Sequence, residues 1–249
     1  MKKYIGVIIT LVVFVLAWHG VSLLINMHFL QSPVATFAAL ARLASTGKLW
    51  PHLLASFSRV MWALIASSIP ALLLGLAAGR SARLNSIISP AIYLFHPTPK
   101  AAFLPIIMLF FGIGDLARIA LITFIIFGQM LVTVRDAARQ IPEEYLDAVR
   151  SLGAGRMALL RHVVIPAVMP GFFTGFRISL GTAVAVLFIA ETFVSQNGLG
   201  HLINDAWIRI DYAEMYAAIF ALSILGLLLF ALTDLLEFIF CPWQDRKTL

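Results

Sequence analysis

Polar residues are sparse along this chain, and they come in clumps. Between the clumps run six apolar stretches, roughly 4–25, 56–78, 87–111, 116–134, 167–190 and 214–240. Each is close to the about 20 residues with which an α-helix crosses a hydrocarbon core. Such a stretch finds no water inside a bilayer, so its backbone must satisfy itself, and the pattern predicts helices. The glycines of FGIGD (111–115) permit a tight turn between the third and fourth stretches. Pro97, Pro99 and Pro105 predict a break or kink within the third. Two shorter elements are predicted outside the stretches. Val34, Phe37, Leu40 and Leu43 or Ala44 share a helical face, with Ser32 as cap and Pro33 at the first helical position, so 33–50 reads as a short interfacial helix. Residues 195–213 read as a second, partly helical segment or a re-entrant hairpin.

The longest polar interruption lies between the fourth and fifth stretches. From Glu143 to Leu152, apolar residues fall at Tyr145, Ala148, Val149 and Leu152, the stripe of an amphipathic helix, with Glu143, Glu144, Asp147, Arg150 and Ser151 opposite. Pro142 and the two acids suit a helix start, and Gly153 suits a left-handed stop. A second short helix is predicted from about Gly155 to Ile165, with Met157, Leu160 and Val164 on one side and Pro166 beginning the return to the membrane. A helix resting on lipid headgroups would tolerate the arginines. It would not favour the acids, and it needs no sharp break at Gly153. A docking element for a soluble protein accounts for both.

Composition removes the soluble alternative. Of 249 residues 61% are hydrophobic and only 12% charged, with a mean hydropathy of +0.96, against about 25% charged in soluble domains. The net charge of +6 is scattered over short loops without an aromatic-interleaved basic face, which excludes a nucleic-acid partner and leaves a topology signal. With the N-terminus in the cytoplasm, eleven Lys and Arg fall on the cytoplasmic side: Lys2, Lys3, Arg80, Arg83, Arg135, Arg139, Arg150, Arg156, Arg161, Arg246 and Lys247. Four fall outside: Arg42, Lys48, Arg118 and Arg209. The imbalance places both termini in the cytoplasm. The apolar run after Lys3 is longer than a signal-peptide core and reads as a retained first span. One cysteine, Cys241, excludes an internal disulfide framework, and the six histidines show no zinc spacing on one helix, so no metal is expected. There is no G-x-x-x-x-G-K-[ST] phosphate loop, no Gly-x-Ser-x-Gly and no His-Glu-x-x-His, so the chain is not read as an enzyme.

Charges inside spans are costly and therefore candidates for function. Lys100 and His96 fall mid-span in FHPTPKAAFLP, where positive charge could meet an anion; a snorkelling or structurally paired lysine is the alternative. Arg177 lies well inside the fifth stretch and could neutralise an anion or pair with Glu191 or with a carboxylate on another helix. Glu191 is placed at an outer gate or at the root of the following hairpin. Arg59 is read as snorkelling. Gly171, Gly175, Ser179 and Gly181 make one side of the fifth stretch small enough for close helix packing, including across a dimer axis.

LDAVRSLGA followed by VVIPAVMP resembles the EAA loop of permease subunits of bacterial ATP-binding cassette importers. Asp147, Ala148 and Val149 stand in the E-A-A places, Gly153 matches the glycine, and Ile165-Pro166 matches the apolar-Pro pair. LWPHLLASFSRV (49–60), PTPKAAFLPIIMLFFGIGD (97–115), TGFRISLGTAV (174–184), AETF (190–193) and NGLGHLI (197–203) extend the resemblance to the nitrate, taurine and alkanesulfonate branch. The resemblance implies an all-α integral membrane fold of six transmembrane helices, of the type I (MetI-like) kind, in one permease domain over 1–249 with a coupling loop at about 136–166. It implies a coupling helix in which Glu144, Asp147, Ala148, Arg150, Gly153 and Ala154 contact an ATPase. ATP and Mg would then be bound by that partner and no cofactor by this chain. It further implies two ATPase subunits, a second permease copy, a periplasmic or lipid-anchored solute-binding protein, and residence in the bacterial inner membrane. The solute implied is a small anion such as a sulfonate, taurine or nitrate, with a pyrimidine vitamin precursor or another small organic solute as the alternative. An ATPase-independent secondary transporter or channel is a further alternative, in which the cytoplasmic loop would be idle.

Overall fold

The computed structural model describes residues 2–25, 27–95, 97–193 and 195–244. Among these there is no strand. The helices are α1 (Lys2–Ile25), α2 (Pro33–Ser45), α3 (Leu49–Arg80), α4 (Ala82–Phe95), α5 (Leu104–Phe111), α6 (Asp115–Arg139), α7 (Glu143–Ser151), α8 (Arg156–Leu159), α9 (Ile165–Thr192), α10 (Leu199–Ile208) and α11 (Tyr212–Phe240). A 3₁₀ turn at Lys100–Phe103 precedes α5, and a π turn at Leu160–Val164 joins α8 to α9. Four helical runs are long and apolar enough to span a membrane: 49–80, 115–139, 156–192 and 212–240. The pair 82–95 and 100–111, bent by 87°, makes a fifth if counted as one span. The apolar part of α1 among the described residues is Val12–Ile25, shorter than a full span.

The expected end of a short helix at Pro166 is corrected. Residues 156–192 run as one helix of 37 residues. The reason is the π turn, in which Ile165 N–H donates to the Leu160 carbonyl, one residue beyond the α pattern. A proline clashes with the carbonyl four residues back and has no N–H to donate. A widened turn immediately before it absorbs both defects without a break. Pro170 likewise lies inside α9.

The chain divides into two compact units, residues 1–57 with 191–225, and residues 58–190 with 226–249. In the first, Ser32 caps α2 by accepting from Ala35 N–H (3.2 Å). Trp18 stacks on Tyr216, and the rings of Phe37 and Phe220 meet edge to face. Residues 195–213 resolve into α10, which buries Leu199, Leu202, Ile203 and Ala206.

In the second unit α6 packs against both α3 and α9 through two Gly-x-x-x-Gly pairs. A Cβ added at Gly75 would lie 2.7 Å from Val134 Cβ, and one at Gly79 would lie 2.5 Å from Ala138 Cβ and 2.7 Å from the Arg135 carbonyl oxygen. From α9, Gly171 meets Ala137 (2.6 Å) and Gly175 meets Thr133 (2.8 Å) in the same sense. Without a hydrophobic drive between helices in lipid, such close approach is what holds spans together. Of the small face of the fifth stretch, Gly171 and Gly175 are thus used within the chain, against α6.

Candidate functional site

The polar interruption folds into a stiff elbow. Pro142 precedes α7 in extended backbone (φ −60°, ψ 135°), and Glu143 and Glu144 occupy its first turn, where the helix dipole favours negative charge. At the other end Gly153 takes φ +82°. Its N–H donates to the Arg150 carbonyl (2.9 Å), and Ala154 N–H reaches back to the Val149 carbonyl (3.4 Å). That is the paired closure of a Schellman stop, which needs a residue at ease in the left-handed region. The chain then enters α8, the π turn and α9 without interruption.

Only one edge of the apolar side of α7 is buried. Leu146, not the stripe led by Tyr145, is the residue inserted into the core, at 2% exposure. It joins Leu76 of α3, Val134 and Ala138 of α6, Leu159, Val164 and Val168, with Val149 packed beside them. Tyr145 (63% exposed), Leu152 (85%) and Met157 (74%) point outward, and Ala148 is exposed as well. Val149 belongs to the predicted stripe and is its half-buried edge, while Leu146, one helical neighbour further round, lies outside that stripe. Of the second predicted helix, Val164 is buried and Leu160 partly so, while Met157 is exposed.

The charges of the elbow are mostly bound to one another. Arg150 Nη1 donates to Asp147 (2.7 Å) and lies 3.6 Å from Glu143, and Arg80 Nη2 donates to Glu143 (2.6 Å). All but Arg80 are half or more exposed, where such pairs contribute at most about 1 kcal/mol each. Glu144 is exposed on the same surface, and Ala154 is half-buried.

The intramembrane candidates sit elsewhere. Lys100 opens the 3₁₀ turn and is half-buried; His96 lies outside the described residues. Arg177 takes the pairing option with another helix: Nη2 donates to Asp234 (2.7 Å) and Glu237 (2.6 Å) of α11. One guanidinium thus faces two carboxylates. Glu191 belongs to the first unit and is fully buried. It accepts from Ser56 Oγ (2.8 Å) and from Gly200 N–H (2.8 Å), while Ser56 Oγ accepts from Leu199 N–H (2.8 Å). A buried carboxylate at the N-terminus of α10 is satisfied by that helix's free amides. Next to it, His52 Nδ1 lies 3.1 Å from Gly198 N, and its ring stacks on His201.

Two arginines depart from expectation. Arg59 does not snorkel: it is 1% exposed, and its Nε (2.9 Å) and Nη2 (2.6 Å) both donate to Asp115. Arg118, counted on the outer side, is 3% exposed, with Nε donating to the Ala190 carbonyl (3.3 Å) and Nη1 3.5 Å from Asp115. The first residue of α6 after the glycine turn supplies the carboxylate for both, and a partner close at hand spares Arg59 the reach to water. The turn FGIGD was legible in the sequence; that its aspartate anchors two arginines was not. Among the described residues no group of three or more His, Cys, Asp or Glu is placed to hold a metal.

Comparison with known proteins now fits this geometry. Residues 71–245 match the model of the family described as binding-protein-dependent transport system inner membrane component. The chain is 32% identical over 244 residues to the taurine transport system permease protein TauC of Escherichia coli (strain K12), covering 95% of this chain and 89% of that one. It is 31% identical over 242 residues to the riboflavin transport system permease protein RibX of Chloroflexus aurantiacus, covering 96% and 90%. Among solved structures, the MetNI methionine ABC transporter in an inward facing conformation superposes with a TM-score of 0.64 at 19% identity, over 78% of this chain and 98% of that one, a likeness of fold. The chain therefore belongs to the binding-protein-dependent transport system inner membrane component family, the permeases of ATP-binding cassette importers.

Proposed function

We propose that this chain forms the translocation pathway of an importer whose energy comes from a separate ATPase, coupled through the elbow at 143–166. The observation that carries the reading is the division of the elbow's two faces. Leu146 fixes it to α3, α6 and α9, while Tyr145, Leu152 and Met157 stay exposed beside Glu144, Asp147 and Arg150. A partner that seats on the outer face would move the spans attached to the inner one. A contiguous apolar patch rimmed by charge is the ordinary sign of a protein partner, and the Schellman stop at Gly153 makes the patch rigid. Glu144, Asp147, Ala148, Arg150, Gly153 and Ala154 form the contact. ATP and Mg are bound by the partner, and hydrolysis occurs there. Residues 1–249 act as one permease domain of six spans, with α1 the first and the bent α4–α5 pair the third; both termini face the cytoplasm of a bacterial cell with the chain in its inner membrane. Two permease copies, two ATPases and a periplasmic or lipid-anchored binding protein complete the machine.

The solute is a small sulfonate-type anion, a reading supported by the taurine permease at 32% identity. Arg177 contributes to it only indirectly, because Asp234 and Glu237 already occupy its guanidinium. Lys100 and His96 are the pathway cations, and Glu191 fixes the outer segment. A small organic solute of another kind is the second reading, favoured by the 31% identity to a riboflavin permease. The coupling reading is tested by placing a cysteine at Leu152 in a Cys241→Ser background and cross-linking to the cognate ATPase. A cross-link that changes with nucleotide is expected; none under any nucleotide condition refutes it. Calorimetry of the cognate binding protein against taurine, alkanesulfonates, nitrate and riboflavin decides the solute.

A further inference from the structure

A cleft of about 240 Å³ opens where α3 ends, α4 begins, α6 ends and α7 begins. Its lining includes Arg80, Ser81, Asn85, Arg139 and Glu143. The volume corresponds to roughly eight waters at about 30 Å³ each, room for a phosphate with part of its glycerol. Two spans, α3 and α6, finish in it with an arginine apiece, so it lies where apolar helix gives way to polar chain, at headgroup depth. Arg83 and Arg135 stand close in sequence to these helix ends, as do Asp136 and Glu143, so this part of the chain carries four cations against two anions. Arg135 is already engaged with Asp136 (2.8 Å) and with Ser89 (3.1 Å), and Arg80 with Glu143 (2.6 Å). Arg139, by contrast, is exposed at the cleft wall. The adjoining α4 buries no residue, and Ile87, Tyr93 and Leu94 are 71–85% exposed, an apolar surface along which acyl chains could lie. Hydrogen-bond donors on a guanidinium fork, a hydroxyl and an amide suit the oxygens of a phosphodiester. Basic pockets between spans on the cytoplasmic side take anionic headgroups for the same reason.

We propose that this cleft binds the phosphate of an anionic phospholipid, with Arg139 and Arg80 as the principal contacts. Glu143 competes with the lipid for Arg80. A bound headgroup therefore loosens the tether between the end of α3 and the first residue of α7, which makes the elbow sensitive to the lipid around it. That consequence rests on the coupling role proposed above; the binding itself does not.

The test is native mass spectrometry of the full chain in detergent, titrated with phosphatidylglycerol and, separately, phosphatidylcholine. Retention of phosphatidylglycerol in preference to phosphatidylcholine is expected. Arg139→Gln and Arg80→Gln should each cut that preference about fivefold, and Glu143→Gln should raise it, since it frees Arg80 and removes a repelling carboxylate. Arg42→Gln, on α2 in the other unit, should leave it unchanged. Equal retention of the two lipids overturns the proposal. So does an equal loss from Arg42→Gln, which would mark general charge attraction. Displacement by millimolar inorganic phosphate without any lipid preference assigns the cleft to a soluble anion and overturns the lipid. Uptake by the reconstituted complex at increasing phosphatidylglycerol then separates the two readings: unchanged uptake with intact lipid selectivity would remove the link to coupling and leave the site.

Discussion

Gly153→Val puts the elbow to its sharpest test. The residue holds φ +82°, and a Cβ added there meets nothing within 4 Å. A larger side chain therefore has room, and the whole penalty is conformational. An L-residue in the left-handed region costs about 1–2 kcal/mol, with β-branched residues the worst placed. That shifts the balance between the closed Schellman turn and its opened alternatives by a factor of about 5–30. The closed turn is held by two hydrogen bonds, Gly153 to Arg150 and Ala154 to Val149, so opening it releases the end of α7 and tilts Leu152 away. Leu146 stays in its cluster, and the spans are untouched. Gly153→Asn is the control, since asparagine visits the left-handed region with little penalty. Both variants are purified, reconstituted with the cognate ATPase and binding protein, and assayed for solute-stimulated ATP hydrolysis and for uptake. Expected is a loss of several-fold in both readouts for Val, near wild-type values for Asn, and unchanged monodispersity for each. Full stimulation and uptake in the Val variant would refute the idea that the elbow transmits as a rigid piece.

The glycine clamps make a second set of predictions. Gly79→Ala and Gly171→Ala must push α6 away, because the new methyls would fall at 2.5 and 2.6 Å from Ala138 and Ala137; lower folded yield and earlier thermal aggregation in detergent are expected. Gly128→Ala, in the same α6 but with open space around it, should be neutral or stabilise by about 0.5–1 kcal/mol. Asp115→Ala removes the carboxylate to which Arg59 donates twice and should destabilise the chain by about 1.5–3 kcal/mol, the scale of a hydrogen bond to a charged group, since it takes that partner from an arginine only 1% exposed; denaturation in graded SDS reads it. Cys241 is 4% exposed, and burial together with Glu237 pushes its thiol up from its ordinary value. Fewer thiolates at neutral pH mean slow labelling by maleimide in the folded chain and fast labelling after SDS. Fast labelling in the native chain would contradict that burial.

Much of the fold was legible because a bilayer leaves the backbone few options. Apolar runs of the right length had to be helices, and the caps at Ser32 and Gly153 could be read from single residues whose preference is local. What was not legible shares a cause: it depends on which neighbour a residue meets. Arg59 could have reached water or a carboxylate, and only the placement of Asp115 after the glycine turn decides for the carboxylate. Pro166 is a break in isolation; the π turn that rescues it depends on residues 160–165, none of which carries a local signature. Gly75 and Gly79 have the spacing of a packing motif, but in a chain with sixteen glycines spacing does not say which helix they approach.

The elbow shows the same dependence on neighbours, since its apolar residues do not say which of them turn inward. An amphipathic helix on a soluble domain has one apolar face because it has one apolar neighbour. In α7 that neighbour covers only part of the apolar side: Leu146 and Val149 meet the ends of the spans, while Tyr145, Ala148 and Leu152 face away from them. The edge at Leu146 and Val149 is covered by the spans, and the rest of the apolar side is left uncovered within the chain. A helix covered along one edge suits the docking proposed above, and its uncovered apolar residues argue for that proposal more strongly than its charges do. Charge-reversal at Arg150 should consequently weaken coupling less than Leu152→Asp, which puts a carboxylate into the apolar seat. If Arg150→Glu proves the more damaging of the two in ATPase stimulation, the contact is electrostatic and the apolar stripe has some other use.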